Sequence, residues 1–89
     1  MSMGTGTKTI TSEVLTKMLP WALESHRFPV NEVSDGMITV DVSREGRGQG
    51  DLGMFLTFLF RQVTLTDGEL QFRNDPDNKV VYLKVVKDA

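Results

Sequence analysis

The chain has 89 residues, ten basic against twelve acidic, for a net charge of −2, which leaves room for one domain of ordinary globular composition. It contains no cysteine, which excludes disulfides, Cys-ligated zinc, iron–sulfur clusters and thiol nucleophiles. No stretch approaches the ~20 consecutive apolar residues of a membrane-spanning helix, and the acidic balance disfavours non-specific nucleic-acid binding, whose affinity comes from neutralising phosphates.

The first ten residues are small, polar and glycine-containing, without the basic and apolar regions of a signal peptide. Ser2 stands where N-myristoylation would need glycine. Residues 1–10 are expected to be a mobile segment ahead of a single domain over 11–89, with a cytoplasmic address and no membrane partner. Thr11 or Ser12 caps a predicted helix over 12–26, with Glu13 near its positive end. Val14, Leu15, Met18, Leu19 and Ala22 form its apolar face. Pro20 interrupts that helix, and Phe28-Pro29 ends it.

Residues 30–33, the turn Ser34-Asp35-Gly36 and residues 37–43 read as a hairpin, because Asp-Gly supplies the positive φ of a tight turn. Ile38, Val40 and Val42 alternate with Thr39, Asp41 and Ser43, the pattern of a strand buried on one side. Beyond the glycine-rich stretch 44–53, Leu52, Phe55, Leu56, Leu59, Phe60 and Val63 fall on one helical stripe, with Gly53, Thr57 and Arg61 opposite. This favours a helix over 51–62 capped by Asp51, with a strand as the competing assignment.

Thr66-Asp67-Gly68 reads as a second Asp-Gly turn, joining 63–66 to 69–73. The cluster Asn74-Asp75-Pro76-Asp77-Asn78 is a further turn, and residues 79–86 form the last strand. Residues 33–40 align with 65–72 at a shift of 32, which raises internal duplication beside the plainer reading that Asp-Gly hairpins resemble one another. The expected fold class is α+β: a two-layer sandwich of a mainly antiparallel four- or five-stranded sheet with two helices on one face.

Chemistry-bearing constellations are sparse. Arg44, Gly46, Arg47, Gly48 and Gly50 suit an anion-binding loop, since glycines let backbone N–H groups approach and a helix N-terminus adds positive potential. Gly48 to Gly53 satisfies the Gly-x-Gly-x-x-Gly string, but the βαβ unit that gives it meaning cannot be assembled here. His26 has only Glu24, Ser25 and Arg27 beside it, and reads as a helix-end residue. Asp75, Asp77 and Asn78 lack calcium-loop spacing. No catalytic residue, metal site or cofactor is assigned.

The final strand is apolar on both faces. Val81, Leu83 and Val85 point one way; Val80, Tyr82 and Val86, with Lys84, point the other. A strand of this kind has cover on both sides. The leading expectation is therefore a non-enzymatic interaction or regulatory module. It self-associates, as a homodimer, or docks another protein through the outer face of the C-terminal strand, at Val80, Tyr82, Lys84 and Val86. A shared interface would also supplement the thin core of so short a chain. The alternative is a small-ligand, nucleotide or anion-binding domain using loop 44–53. The second alternative is nucleic-acid binding through Arg44, Arg47, Arg61 and Arg73.

Overall fold

The computed structural model describes residues 3–32, 36–43 and 49–89. Along the chain run β1 (Lys8–Ile10), α1 (Ser12–Ser25), β2 (Val30–Glu32), β3 (Met37–Asp41), α2 (Gln49–Gln62), β4 (Val63–Leu65), β5 (Gly68–Asp75) and β6 (Val80–Lys87). The fold is α+β, as the periodicities predict. An antiparallel sheet has the order β2-β3-β6-β5, and a short parallel pair joins β1 to β4.

The core is built from α1, the sheet and the first turn of α2. Leu15, Leu19 and Leu23 of α1 pack with Ile38 and Val40 of β3, Val81 and Leu83 of β6, Leu52 of α2, and Phe28. The buried stripe of α1 is thus the i, i+4, i+8 row of leucines, while Val14, expected to face inward, is exposed. Thr11 caps the helix, its Oγ1 accepting the Val14 N–H. At the other end the Phe28 N–H reaches the Leu23 carbonyl and the Arg27 N–H that of Glu24, with Arg27 at φ 67°. This left-handed stop folds Phe28 back onto the Leu23 turn. Pro20 removes one backbone donor, yet the helix runs on to Ser25 because Leu19 and Leu23 anchor it on either side.

Two sequence expectations change. The N-terminal segment does not stand apart from the domain. Met3 exchanges backbone hydrogen bonds with Leu65, the Thr5 N–H donates to the Phe60 carbonyl, and β1 pairs with β4 from Lys8↔Val63 to Ile10↔Leu65. Its glycines serve close approach: a Cβ at Gly6 would overlap the Gln62–Val63 peptide, and one at Gly4 the Val63 carbonyl. The second Asp-Gly is not a hairpin either. Thr66-Asp67 is a corner where the chain leaves the parallel pair and enters the main sheet, so the two aligned halves differ in topology. The hairpin that closes the chain is β5–β6, in register from Gly68↔Lys87 to Asp75↔Val80. The first hairpin pairs as expected, Val30 opposite Val40; of its turn, residues 33–35 lie outside the described residues.

The corner residue Asp67 binds α1 to the rest of the molecule. Its carboxylate accepts the Ser12 N–H at 2.6 Å and the buried Ser12 hydroxyl at 3.2 Å, across 55 positions of sequence. Its carbonyl accepts the Asp88 N–H. A carboxylate at a helix N-terminus satisfies an otherwise orphaned donor and meets the positive end of the macrodipole. Replacing Asp67 by alanine is expected to lower the unfolding free energy by about 1–2 kcal/mol. Urea titration of the variant against wild type measures this, and an unchanged midpoint would show that the tie contributes nothing.

Candidate functional site

The outer face of β6 is assembled by cross-strand pairing. Val80 sits between Asp41 and Asp75, Tyr82 between Thr39 and Arg73, Lys84 between Met37 and Gln71, and Val86 opposite Glu69. These residues lie on the side of the sheet away from the core side chains Val81 and Leu83. Val80, Tyr82 and Val86 are half-buried and Lys84 is exposed. The half-burial comes from flanking polar residues. The Arg73 guanidinium lies over the Tyr82 ring, 4.7 Å from its centroid, a cation–π contact of about 0.5–1 kcal/mol at an exposed position. The Tyr82 hydroxyl donates to Asp75 Oδ2 at 3.4 Å. The strand is also central in the sheet, so its backbone edges are taken; the edges belong to β2 and β5.

The glycine-rich loop splits across the boundary of what is seen. Arg44, Gly46, Arg47 and Gly48 lie outside the described residues, and Gly50 is in the first turn of α2. Arg61 closes α2 on the core side of the sheet, whereas Arg73 is on the opposite face, so these two do not form one basic surface. His26 caps α1 and meets Phe55 in a tilted ring contact, centroids 4.9 Å apart. Among the described residues no three His, Asp or Glu side chains gather as a metal cluster, and no helix is long and apolar enough to cross a membrane.

A second apolar surface lies elsewhere. Between α2 and the sheet runs a groove of about 420 Å³. Leu52, Leu56 and Phe60 form its helix wall, Leu70, Phe72 and Val81 its sheet wall, and Met3 one end. Phe72 has the core-side register expected of it, opposite Leu83, yet it is 69% exposed. β5 is the edge strand there, and the α2 residues that face the groove beside it include Gly53 and Thr57, too small to cover the ring. The same two residues line a second concavity on the outward side of α2, with Met54 and Phe58, which are 73% and 59% exposed. Groove and outward face therefore form one continuous apolar surface. Apart from these three, the large exposed apolar residues among the described residues are Val14 and Trp21 on α1.

Sequence reasoning assigned neither Met54 nor Phe58 to a site. The available signal was that both fall off the stripe Leu52, Phe55, Leu56, Leu59, Phe60, which leaves α2 apolar around much more of its circumference than one buried face needs. Comparison with known protein families, curated protein sequences and solved structures finds no match for this chain.

One titratable group of the β6 outer face is displaced. The Asn78 side-chain amide and backbone N–H, then more weakly the Tyr82 hydroxyl and Arg73, hold the Asp75 carboxyl below its ordinary value. A carboxyl lowered in the folded state stabilises above the unfolded-state pKa of about 3.9 and loses that contribution as pH falls through the folded value. Asp75→Asn is therefore expected to be slightly less stable than wild type at neutral pH, the gap closing on acidification. Chemical denaturation at pH 7 and below pH 3 measures this; a gap constant with pH would contradict it.

Proposed function

We propose that this chain is a small non-enzymatic interaction module that docks protein through the apolar surface formed by α2 and the edge strand β5. The observation that carries the reading is the exposure of Met54, Phe58 and Phe72 around one groove. Apolar side chains scattered singly need no explanation, but contiguous ones bordering a concavity mark association. Aromatic and methionine side chains are also the types enriched at interface centres.

The outer face of β6 is the competing surface for the same role. Its apolar members stand in rows ended by charged or polar neighbours, and Tyr82 is engaged by Arg73 and Asp75. It contributes none of the large exposed apolar residues. The α2 side has more to gain from cover at ~25 cal/mol per Å² of apolar surface removed from water.

Site-specific photo-crosslinking separates the surfaces. A benzoylphenylalanine placed at Phe58, Phe72 or Tyr82 in separate variants is expected to give protein adducts from the first two positions in the expressing cell. Adducts from position 82 alone would move association to the outer face of β6. Absence of adducts from all three would remove the association role.

A further inference from the structure

We infer that the partner enters as an extended peptide segment, which adds to the open edge of β5 and seats apolar side chains in the groove between α2 and the sheet. This rests on the association reading above and names the form and chemistry of the partner.

Backbone geometry fixes the form. The Asp88 N–H donates to the Asp67 carbonyl, which makes these two a hydrogen-bonded pair of the β5–β6 ladder. The register runs without a bulge from Gly68↔Lys87 to Asp75↔Val80. Odd-numbered residues of β5 therefore turn their N–H and C=O toward β6, and even-numbered ones turn theirs outward. The Leu70 N–H agrees, since it leaves the sheet to reach the Met3 Sδ at 3.4 Å. Sulfur is a weak acceptor, so even this donor is poorly matched. Beyond it, the outward backbone groups of Phe72 and Asn74 have no hydrogen-bond partner among the described residues.

Edge strands are normally kept short, bent by a bulge, or guarded by lysine or proline. β2, the other edge, has three residues. β5 has eight, with neither lysine nor proline. A row of free donors and acceptors beside an apolar groove is the geometry of strand addition, in which main-chain bonds hold the peptide and alternate side chains select it.

The side chains fix the chemistry. A residue paired with Phe72 points to the same face of the sheet, toward the groove that Phe72 lines with Gly53 and Thr57. A Cβ at Gly53 would meet no atom within 4 Å, so the helix leaves room there. No charged residue lines the groove, which selects apolar side chains on that face. The next position pairs with Arg73 on the outer face, where an acidic residue is favoured and a basic one opposed. The segment thus alternates, apolar toward α2 and acidic opposite Arg73.

Linear peptides selected on the full chain from a random phage-displayed library, then synthesised, test this by calorimetry and amide hydrogen exchange. Selected peptides are expected to show the alternation, and their binding to slow exchange at Phe72 and Asn74 while amides of Val30–Glu32 are unchanged. Asn74→Pro removes an outward donor and spares the β6 ladder, so it is expected to weaken binding about tenfold. Asn74→Ala keeps the donor and should bind as wild type. Methylating the peptide nitrogens one at a time reads the same contact without altering the protein. Alternate positions should lose binding and the intervening ones keep it. Uniform tolerance of methylation, free exchange at Phe72 and Asn74 in the bound state, or a library without binders overturns the inference. In each of those cases protein adducts from position 58 or 72 leave the association reading standing, with a folded surface as the partner, and their absence ends both.

Discussion

A helix lying on one face of a sheet has one side to bury, and α2 has apolar side chains on more than one. Leu52 is sealed in the core, and Phe55, Leu56, Leu59 and Phe60 pack against it in part. Met54 and Phe58 project to solvent. No other described element of the chain covers them, since α1 packs on β6 and β2 and β5 is an edge of the sheet. Phe72 is left bare by the same geometry: α2 faces the edge strand across the groove, and Gly53 and Thr57 are among the residues on its side of it. The surplus on α2 and the open groove are two views of one constraint.

Around that half-covered helix the chain is tied by long-range contacts. The N-terminal segment passes over the junction of α2 and β4 at glycines that no larger residue could replace without overlap, and Met3 ends in the groove, its Sδ accepting the Leu70 N–H. Asp67 holds the start of α1 from the corner between β4 and β5. Phe55 reaches Phe28 at 5.9 Å between ring centroids, joining α2 to the end of α1. The position of α2 is thereby held by the N-terminal segment and by the end of α1, and its outward face is presented on a supported element.

Much of this architecture was legible where periodicity is local. The i, i+4 leucines of α1, the alternation of β3 and the stripe of α2 each report their element type directly. What escaped depends on pairing at a distance. Asp-Gly at 67–68 has the chemistry of a hairpin turn, and only the parallel union of β1 with β4 makes it a corner instead. Residues 3–7 carry the composition of a loose tail, and their glycines show a purpose only once the Gln62–Val63 peptide lies against them. The two-sided apolar character of β6 was visible, but its consequence was not. Cross-strand neighbours decide how bare Val80, Tyr82 and Val86 are, and the residues opposite them are Asp41, Asp75, Thr39, Arg73 and Glu69. The apolar surplus on α2 was equally visible in Met54 and Phe58, although the competing strand assignment for that segment obscured that both lie outside the buried stripe.

The central claim, that the apolar surface of α2 and β5 docks protein, is tested most directly by hydroxyl-radical footprinting of the chain inside the expressing cell against the purified chain in dilute solution. Met54, Phe58 and Phe72, all exposed in the isolated chain, should be labelled less in the cell, while Tyr82 is labelled equally in both. Equal labelling of the three residues in cell and solution, or protection confined to Tyr82, would contradict the account.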